Sequence, residues 1–374
     1  MRISKRDFIA GSAGLAGAAF LPSVARGTAT GDAAIPAPIS RAERLARLAR
    51  VQELMRAQNV RMLVIEPGAA MIYFTGLRWW RSERPTLALV PAEGDVGVVT
   101  PYFERPSVAE TLGVPATIRT WHENEDPFAV VASFARDWGA ADARIGMDET
   151  VRFFIADGVR RAVPSARIVP GAPMIRACRM IKSPAELALM QAATDVTIAA
   201  YRDVAAAIAP GMDARDVSTL MSERTRAHGG NPQFSMVLLN EASAYPHGTD
   251  APQKVREGGI ILMDCGCAVH DYESDVSRTW VIGEPTRKQT EVWRTVRRGQ
   301  ELALETAMPG VEAGAVDRRV RSYYESLGWG PGYRTPGLSH RLGHGIGMEG
   351  HEPINLVESR SEERRVGKEC PSPC

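Results

Sequence analysis

Two stretches of this sequence have the clearest capacity for chemistry: a carboxylate-bearing hairpin and a histidine-rich loop. The first runs Gly259-Ile260-Ile261-Leu262-Met263-Asp264-Cys265-Gly266-Cys267, turns at His270-Asp271 and returns through Ser274-Asp275-Val276-Ser277-Arg278-Thr279-Trp280-Val281-Ile282. Two β-rich runs about a polar turn predict a hairpin. With the turn centred between Val269 and His270, Asp264 lies directly opposite Asp275, with Cβ atoms roughly 5 Å apart. Two carboxylates facing each other in an apolar hairpin repel and lose hydration. That costs about 1 kcal/mol or more unless a cation or a shared proton neutralises them. A metal ion is the economical explanation; a shifted register that turns one aspartate to solvent is the structural alternative.

The second stretch, His340-Arg341-Leu342-Gly343-His344-Gly345-Ile346-Gly347-Met348-Glu349-Gly350-His351-Glu352-Pro353, holds three of the chain's seven histidines. Glycine between them lets the main chain approach a ligand closely, and neutral imidazole serves both as metal ligand and as acid or base. Singly, each histidine fits a buried, hydrogen-bonded structural role; together they point to ligation and catalysis. A further candidate, His247, follows Asn240-Glu241-Ala242-Ser243-Ala244-Tyr245-Pro246 in a loop before the hairpin, where alone it reads as a surface residue.

Such groups need rigid elements behind them. Leucine, alanine and arginine recur at helical spacing from Arg41 to Gln58, and Val60 to Ile65 follows as an apolar strand. Tyr73-Phe74-Thr75-Gly76, Thr86 to Pro91 and Val96 to Pro101 read as further strands, with helices near Pro127 to Trp138 and Val151 to Val163. Later, Ser183-Pro184-Ala185-Glu186 opens a long helix: serine caps it, proline suits its first turn and glutamate completes a capping box. That helix stops at Pro210-Gly211 and a second starts after Met212-Asp213-Ala214. The same order recurs at Glu291 to Ala307, Pro309-Gly310 and Val311-Glu312-Ala313. An internal duplication explains the recurrence; coincidence is the alternative, since Pro and Gly commonly follow helices.

At 374 residues, 44% hydrophobic and 24% charged, the chain is long enough for two domains with real cores. A net charge of +1 gives no electrostatic case for a nucleic-acid partner, so a peptide or small molecule is the better substrate class. Cys178, Cys265, Cys267, Cys370 and Cys374 are too few and too irregular for a disulfide framework and form no structural zinc pair. At the N-terminus, Lys5-Arg6 precedes a weakly apolar stretch and the small-x-small site Ser23-Val24-Ala25. The order is similar to a twin-arginine export signal, with Lys5 in place of the first arginine, and predicts a periplasmic or secreted protein. A cytoplasmic tail or a short anchor is the alternative, although the apolar run is too short for stable membrane insertion. The expected divisions are a signal at 1–26, a linker at 27–40, an N-terminal α/β domain at 41–172, a catalytic domain at 173–359 and a non-native tail at 360–374.

His247, the Asp264 to Asp275 hairpin and His344-Gly-Ile-Gly through His351-Glu352-Pro353, taken together, resemble the pita-bread metallopeptidases: methionine aminopeptidase, Xaa-Pro aminopeptidase, prolidase and creatinase. The resemblance covers about Arg41 to Pro353. It implies a creatinase-like α/β N-terminal domain followed by an α+β pita-bread catalytic domain with a pseudo-twofold repeat. Residue by residue, it implies that Asp264, Asp275 and His344 are metal ligands. His247 and His351 are the implied catalytic histidines, and His340 lines the substrate pocket. The implied cofactor is a pair of divalent ions, Mn2+ or else Fe2+, Co2+ or Zn2+, that activate water. The implied substrate is a peptide with proline at its second position, and the implied assembly a homodimer.

The family pattern also requires two further glutamate ligands downstream of His351, and none appears in the expected setting. Arg360-Ser361-Glu362-Glu363-Arg364-Arg365-Val366-Gly367-Lys368-Glu369-Cys370 reads instead as translated sequencing-adaptor DNA, so its glutamates are not counted as ligands. A solvated charged tail is the alternative, and the expectation is that the chain as it stands is inactive. Two other readings stay open on the same scaffold. One is creatinase-like or lyase chemistry on a small non-peptide substrate, and the other a non-catalytic binding module.

Overall fold

A computed structural model describes residues 35–358; the expected signal, most of the linker, residue 359 and the expected tail at 360–374 lie outside the described residues. The chain divides into two compact units, with the break between Lys182 and Ser183.

The first unit begins with helix α1 (Arg41–Ala57), whose N-cap Ser40 accepts a hydrogen bond from the Glu43 amide. Strand β1 (Val60–Ile65), helix α2 (Ala69–Thr75), strands β2 (Leu87–Pro91) and β3 (Val96–Pro101), helix α3 (Arg105–Thr111) and strand β4 (Ala116–Trp121) follow. Helix α4 (Pro127–Asp137), strand β5 (Arg144–Met147), helix α5 (Phe153–Ala162), strand β6 (Arg167–Pro170) and helix α6 (Ala172–Arg179) complete it. The six strands form one sheet in the order β4-β3-β2-β1-β5-β6. Pairing is antiparallel for β1 with β2 and β2 with β3, and parallel elsewhere. Met62, Val64, Leu87, Leu89, Phe134 and Ile145 fill a core on this sheet, each such side chain stabilising the fold by about 1.5–3 kcal/mol.

Two expectations are corrected here. Tyr73 to Gly76 is not a strand but the end of α2. Glycines bracket that helix: Gly68 at its N-cap, and Gly76 closing it in the left-handed conformation with its amide bonded to the Ile72 carbonyl. The glycine termini outweigh the β preference of an aromatic pair. In addition, the boundary placed at 172 falls too early, because α6 belongs to the first unit.

The second unit opens with helix α7 (Pro184–Ala207), and the Ser183–Glu186 capping box is present as expected. Helix α8 (Ala214–Ala227) follows, with its own Asp213–Asp216 box. Strands β7 (Asn231–Leu239), β8 (Ile260–Val269), β9 (Tyr272–Glu273) and β10 (Val276–Val281) form a sheet in which β8 is central, between β7 and β10, with β9 also on β8. Ala200, Val204, Val217 and Met221 of the helices pack with Val237, Ile261 and Met263 of the sheet. Helices α9 (Arg287–Thr306) and α10 (Ala313–Ser326) then repeat the α7–α8 pair. Gly211 and Gly310, after the first helix of each pair, both take positive φ, 94° and 88°. Among the described residues, only strands β11 (Gly343–Gly345) and β12 (Glu352–Leu356) follow the second pair.

Cys178, Cys265 and Cys267 are free and buried. Desolvation pushes the Cys178 thiol up to about 12 and that of Cys265 up to about 11. No helix among the described residues is long and apolar enough to cross a membrane.

Candidate active site

The site is built on the β8–β10 hairpin, and its register differs from the expected one. Val269 pairs with Tyr272, Cys265 with Val276 and Asp264 with Ser277, so the turn is centred on His270 and Asp271. Both turn residues have positive φ, 45° and 73°, as a two-residue turn matched to strand twist requires. Asp264 therefore does not face Asp275 directly; its cross-strand partner is Ser277, whose hydroxyl donates to Asp264 Oδ1 over 2.7 Å. Because Asp275 is two residues from Ser277, it stays on the same face as a diagonal neighbour of Asp264. Asp275 titrates above the ordinary carboxylate range, through burial first and the nearby Asp264 charge second.

Two contacts hold this geometry from behind. The buried Tyr201 hydroxyl of α7 reaches the Met263 carbonyl at 3.0 Å and the Val276 carbonyl at 2.7 Å, the groups next to Asp264 and Asp275. Opposite Asp275, Gly266 has no room for a side chain: a Cβ there would lie 2.1 Å from the Ser274 carbonyl oxygen.

The histidine loop meets the hairpin. His344 Nε2 lies 3.4 Å from Asp275 Oδ2, and its Nδ1 lies 3.0 Å from the Gly345 carbonyl. A carbonyl only accepts, so Nδ1 carries a proton, and Nε2 is the ring nitrogen turned toward Asp275. The His351 ring packs edge-on against His344, centroids 4.1 Å apart. Desolvation, then the His344 and Arg341 charges, hold the His351 imidazole below its ordinary value. His247 is exposed on its loop, yet near enough to add to that depression. His340 is exposed and its Nδ1 bonds the Arg341 carbonyl. Its loop is fixed by buried Arg321, which pairs with Asp317 and donates to the carbonyls of Gly332, Leu338 and His340.

Two carboxylates on one face of the hairpin with an imidazole nitrogen beside them suit a divalent cation of borderline hardness. The set is incomplete: among the described residues, no group of three or more histidine, cysteine, aspartate or glutamate side chains is arranged to hold a metal ion. Sequence reasoning missed Ser277 and Tyr201, whose contacts become visible only once the turn is centred correctly.

Residues 188–369 match metallopeptidase family M24, and residues 47–181 match the creatinase/prolidase N-terminal domain. The chain is 30% identical over 330 residues to an uncharacterized peptidase of Schizosaccharomyces pombe, across 83% of this chain and 70% of the other. It is 31% identical over 181 residues to a Xaa-Pro dipeptidase of Pyrococcus horikoshii, about half of each chain (48% and 50%). The crystal structure of dipeptidase PepE from Mycobacterium ulcerans superposes with a TM-score of 0.77 at 27% identity, covering 86% of this chain and 85% of that one.

Proposed function

This chain belongs to metallopeptidase family M24, with a creatinase/prolidase N-terminal domain ahead of a pita-bread catalytic domain, and on that premise we propose that it is an exopeptidase cleaving Xaa-Pro bonds. The supporting observation is the meeting of Asp264, Asp275, His344 and His351 around one hairpin. A Xaa-Pro dipeptidase among its relatives supports the choice of substrate.

Asp264, Asp275 and His344 would hold the metal, with Mn2+ preferred, and a bound dinuclear centre supplies an activated water and a polarised carbonyl near neutral pH. The remaining work falls to the chain's own side chains. His351, kept neutral by its depressed pKa, offers a ring N–H to the carbonyl oxygen as negative charge gathers there. His247 reaches the same oxygen or delivers a proton to the departing proline nitrogen, which as a tertiary amide has none of its own. His340 lines the substrate pocket.

A panel of Xaa-Pro dipeptides and longer Xaa-Pro peptides, assayed with Mn2+, tests the reading; hydrolysis of non-proline peptides alone would refute it. The chain as it stands is proposed to bind metal weakly and to be inactive, since the described residues offer no complete ligand set. Calorimetric Mn2+ titration and an Xaa-Pro assay on the 374-residue chain check this. The comparison is a variant in which residues 360–374 are replaced by a C-terminal segment that supplies the two glutamates the family pattern requires. Full activity of the 374-residue chain would return the tail glutamates to the site.

We further propose that the protein is a homodimer, exported folded and processed near Ala25. Mass spectrometry of a periplasmic extract should find a mature N-terminus between Arg26 and Ala34. An intact Met1 form confined to the cytoplasm would rule export out. Light scattering reads the assembly.

A further inference from the structure

His247 stands midway along a loop that apolar packing does not hold. Between the end of β7 at Leu239 and buried Val255, residues 240–254 enclose only Ala242, while Tyr245 and His247 are exposed. With so little apolar surface removed from water, polar contacts decide where such a loop sits.

Two side-chain amides cross its neck. Gln253 Oε1 accepts the Leu239 amide over 2.8 Å, and Asn240 Nδ2 donates to the Lys254 carbonyl over 2.9 Å. Strand β7 is the outer strand of its sheet, so an amide at its end that turns away from β8 needs a partner from elsewhere. The far side of the neck is anchored in turn: the Gly211 amide donates to the Val255 carbonyl and the Val255 amide to the Met212 carbonyl, both over 2.8 Å. Other contacts across the neck add little. The Glu241–Arg256 pair is exposed on both sides, where such a pair contributes at most about 1 kcal/mol. Gln253 Nε2 stands 3.5 Å from the Thr249 carbonyl, at the limit of a hydrogen bond.

Asn240 is also matched to its place. Its φ of 57° is left-handed, which asparagine tolerates better than most side chains. Its Oδ1 is buried against Gly259, where a Cβ would lie 2.2 Å away. Gly259 leads directly into β8, the strand of Asp264, so the neck abuts the strand that bears one site carboxylate.

We infer, resting on the reading of His247 as a group of the site, that Asn240 and Gln253 are positioning residues whose side-chain amides close the neck of the 240–254 loop and so fix where His247 stands. Opening either bond leaves the loop joined at both ends but free to shift, and His247 loses its defined position while the hairpin keeps its own.

Amide hydrogen exchange and imidazole 15N resonances of the 374-residue chain and three variants test this without any peptidase assay. Gln253→Ala removes the acceptor, so the Leu239 amide should exchange about tenfold faster or more and the His247 ring signals should shift. Amides of β8 at Met263 and Cys265 should keep their protection. Gln253→Glu retains an acceptor oxygen at the same reach and should restore both readings. Asn240→Asp keeps the size and the tolerance for left-handed backbone but offers no donor, and should shift the His247 signals as well. His247 signals that stay put in Gln253→Ala, or in a folded Asn240→Asp, overturn the inference. So does unchanged Leu239 exchange in Gln253→Ala, equal loosening of β8, or a folded Gln253→Glu that restores neither reading. A negative Xaa-Pro panel beside a positive exchange result would remove the proposed substrate and leave the neck standing.

Discussion

Tyr201→Phe removes one hydroxyl and leaves the ring packed in the core of the second unit. In the folded chain that hydroxyl lies within hydrogen-bond distance of two carbonyls, Met263 at 3.0 Å and Val276 at 2.7 Å, in surroundings where the tyrosine is only 6% exposed. Losing a buried donor leaves its acceptors short of a partner, at about 1–3 kcal/mol in total. For a unit of this size 1 kcal/mol shifts Tm by about 2–4 °C, so a central loss of 2 kcal/mol corresponds to roughly 4–8 °C. Tyr201→Ala adds a cavity and should cost about 3–5 kcal/mol. Calorimetry of the metal-free protein separates the two. A Tyr201→Phe midpoint within about 1 °C of the parent would refute the argument, since the hydroxyl would then hold nothing. If the midpoint falls as expected, Mn2+ titration should show weakened binding as well, because the two carbonyls adjoin the two aspartates proposed to hold the metal.

In the variant whose C-terminal segment supplies the two family glutamates, Asp264→Ala, Asp275→Ala and His344→Ala should abolish metal binding, while His247→Ala and His351→Ala keep the metal and lose most turnover. Metal content measured beside kcat distinguishes the groups. Ser277→Ala should weaken metal affinity about tenfold or more by releasing Asp264 Oδ1; an unchanged titration would mean that the hydroxyl does not orient the ligand. Asp148 offers a pH test in the first unit. Burial, the largest cause, raises its pKa, so the folded state resists its ionisation and loses stability as pH rises above the ordinary carboxylate value of about 3.9. Asp148→Asn should gain in Tm relative to the parent across that rise, and a difference independent of pH would contradict it.

Much of the frame was legible because local chemistry and tertiary packing agree. Ser183 and Glu186 form a capping box wherever a helix follows them, and Val60 to Ile65 is a strand both by side-chain preference and by complete enclosure of all but one residue. The hairpin was legible as an element but not in register. Alternation says which residues share a strand, whereas the centre of the turn depended on His270 and Asp271 accepting left-handed backbone, which non-glycine residues seldom do. One position of error moved Ser277 out of view while leaving Asp264 and Asp275 on their shared face. Tyr73 to Gly76 failed for the opposite reason: the aromatic residues signalled a strand, and the glycines at either end decided for a helix.

The buried thiols give each unit its own clock. Cys178 lies in the first, Cys265 and Cys267 in the second, and all three are enclosed, the two most deprotonation-resistant with pKa values of about 12 and 11. A thiol-specific reagent reaches such groups only when the surrounding structure opens, so its labelling rate counts openings rather than surface encounters. With Cys370 and Cys374 replaced by serine, peptide mapping of the labelled sites would time the two units separately in a single sample. If the proposed export carries the protein into an oxidising compartment, the same enclosure would shield these cysteines, where exposed thiols would be drawn into disulfides.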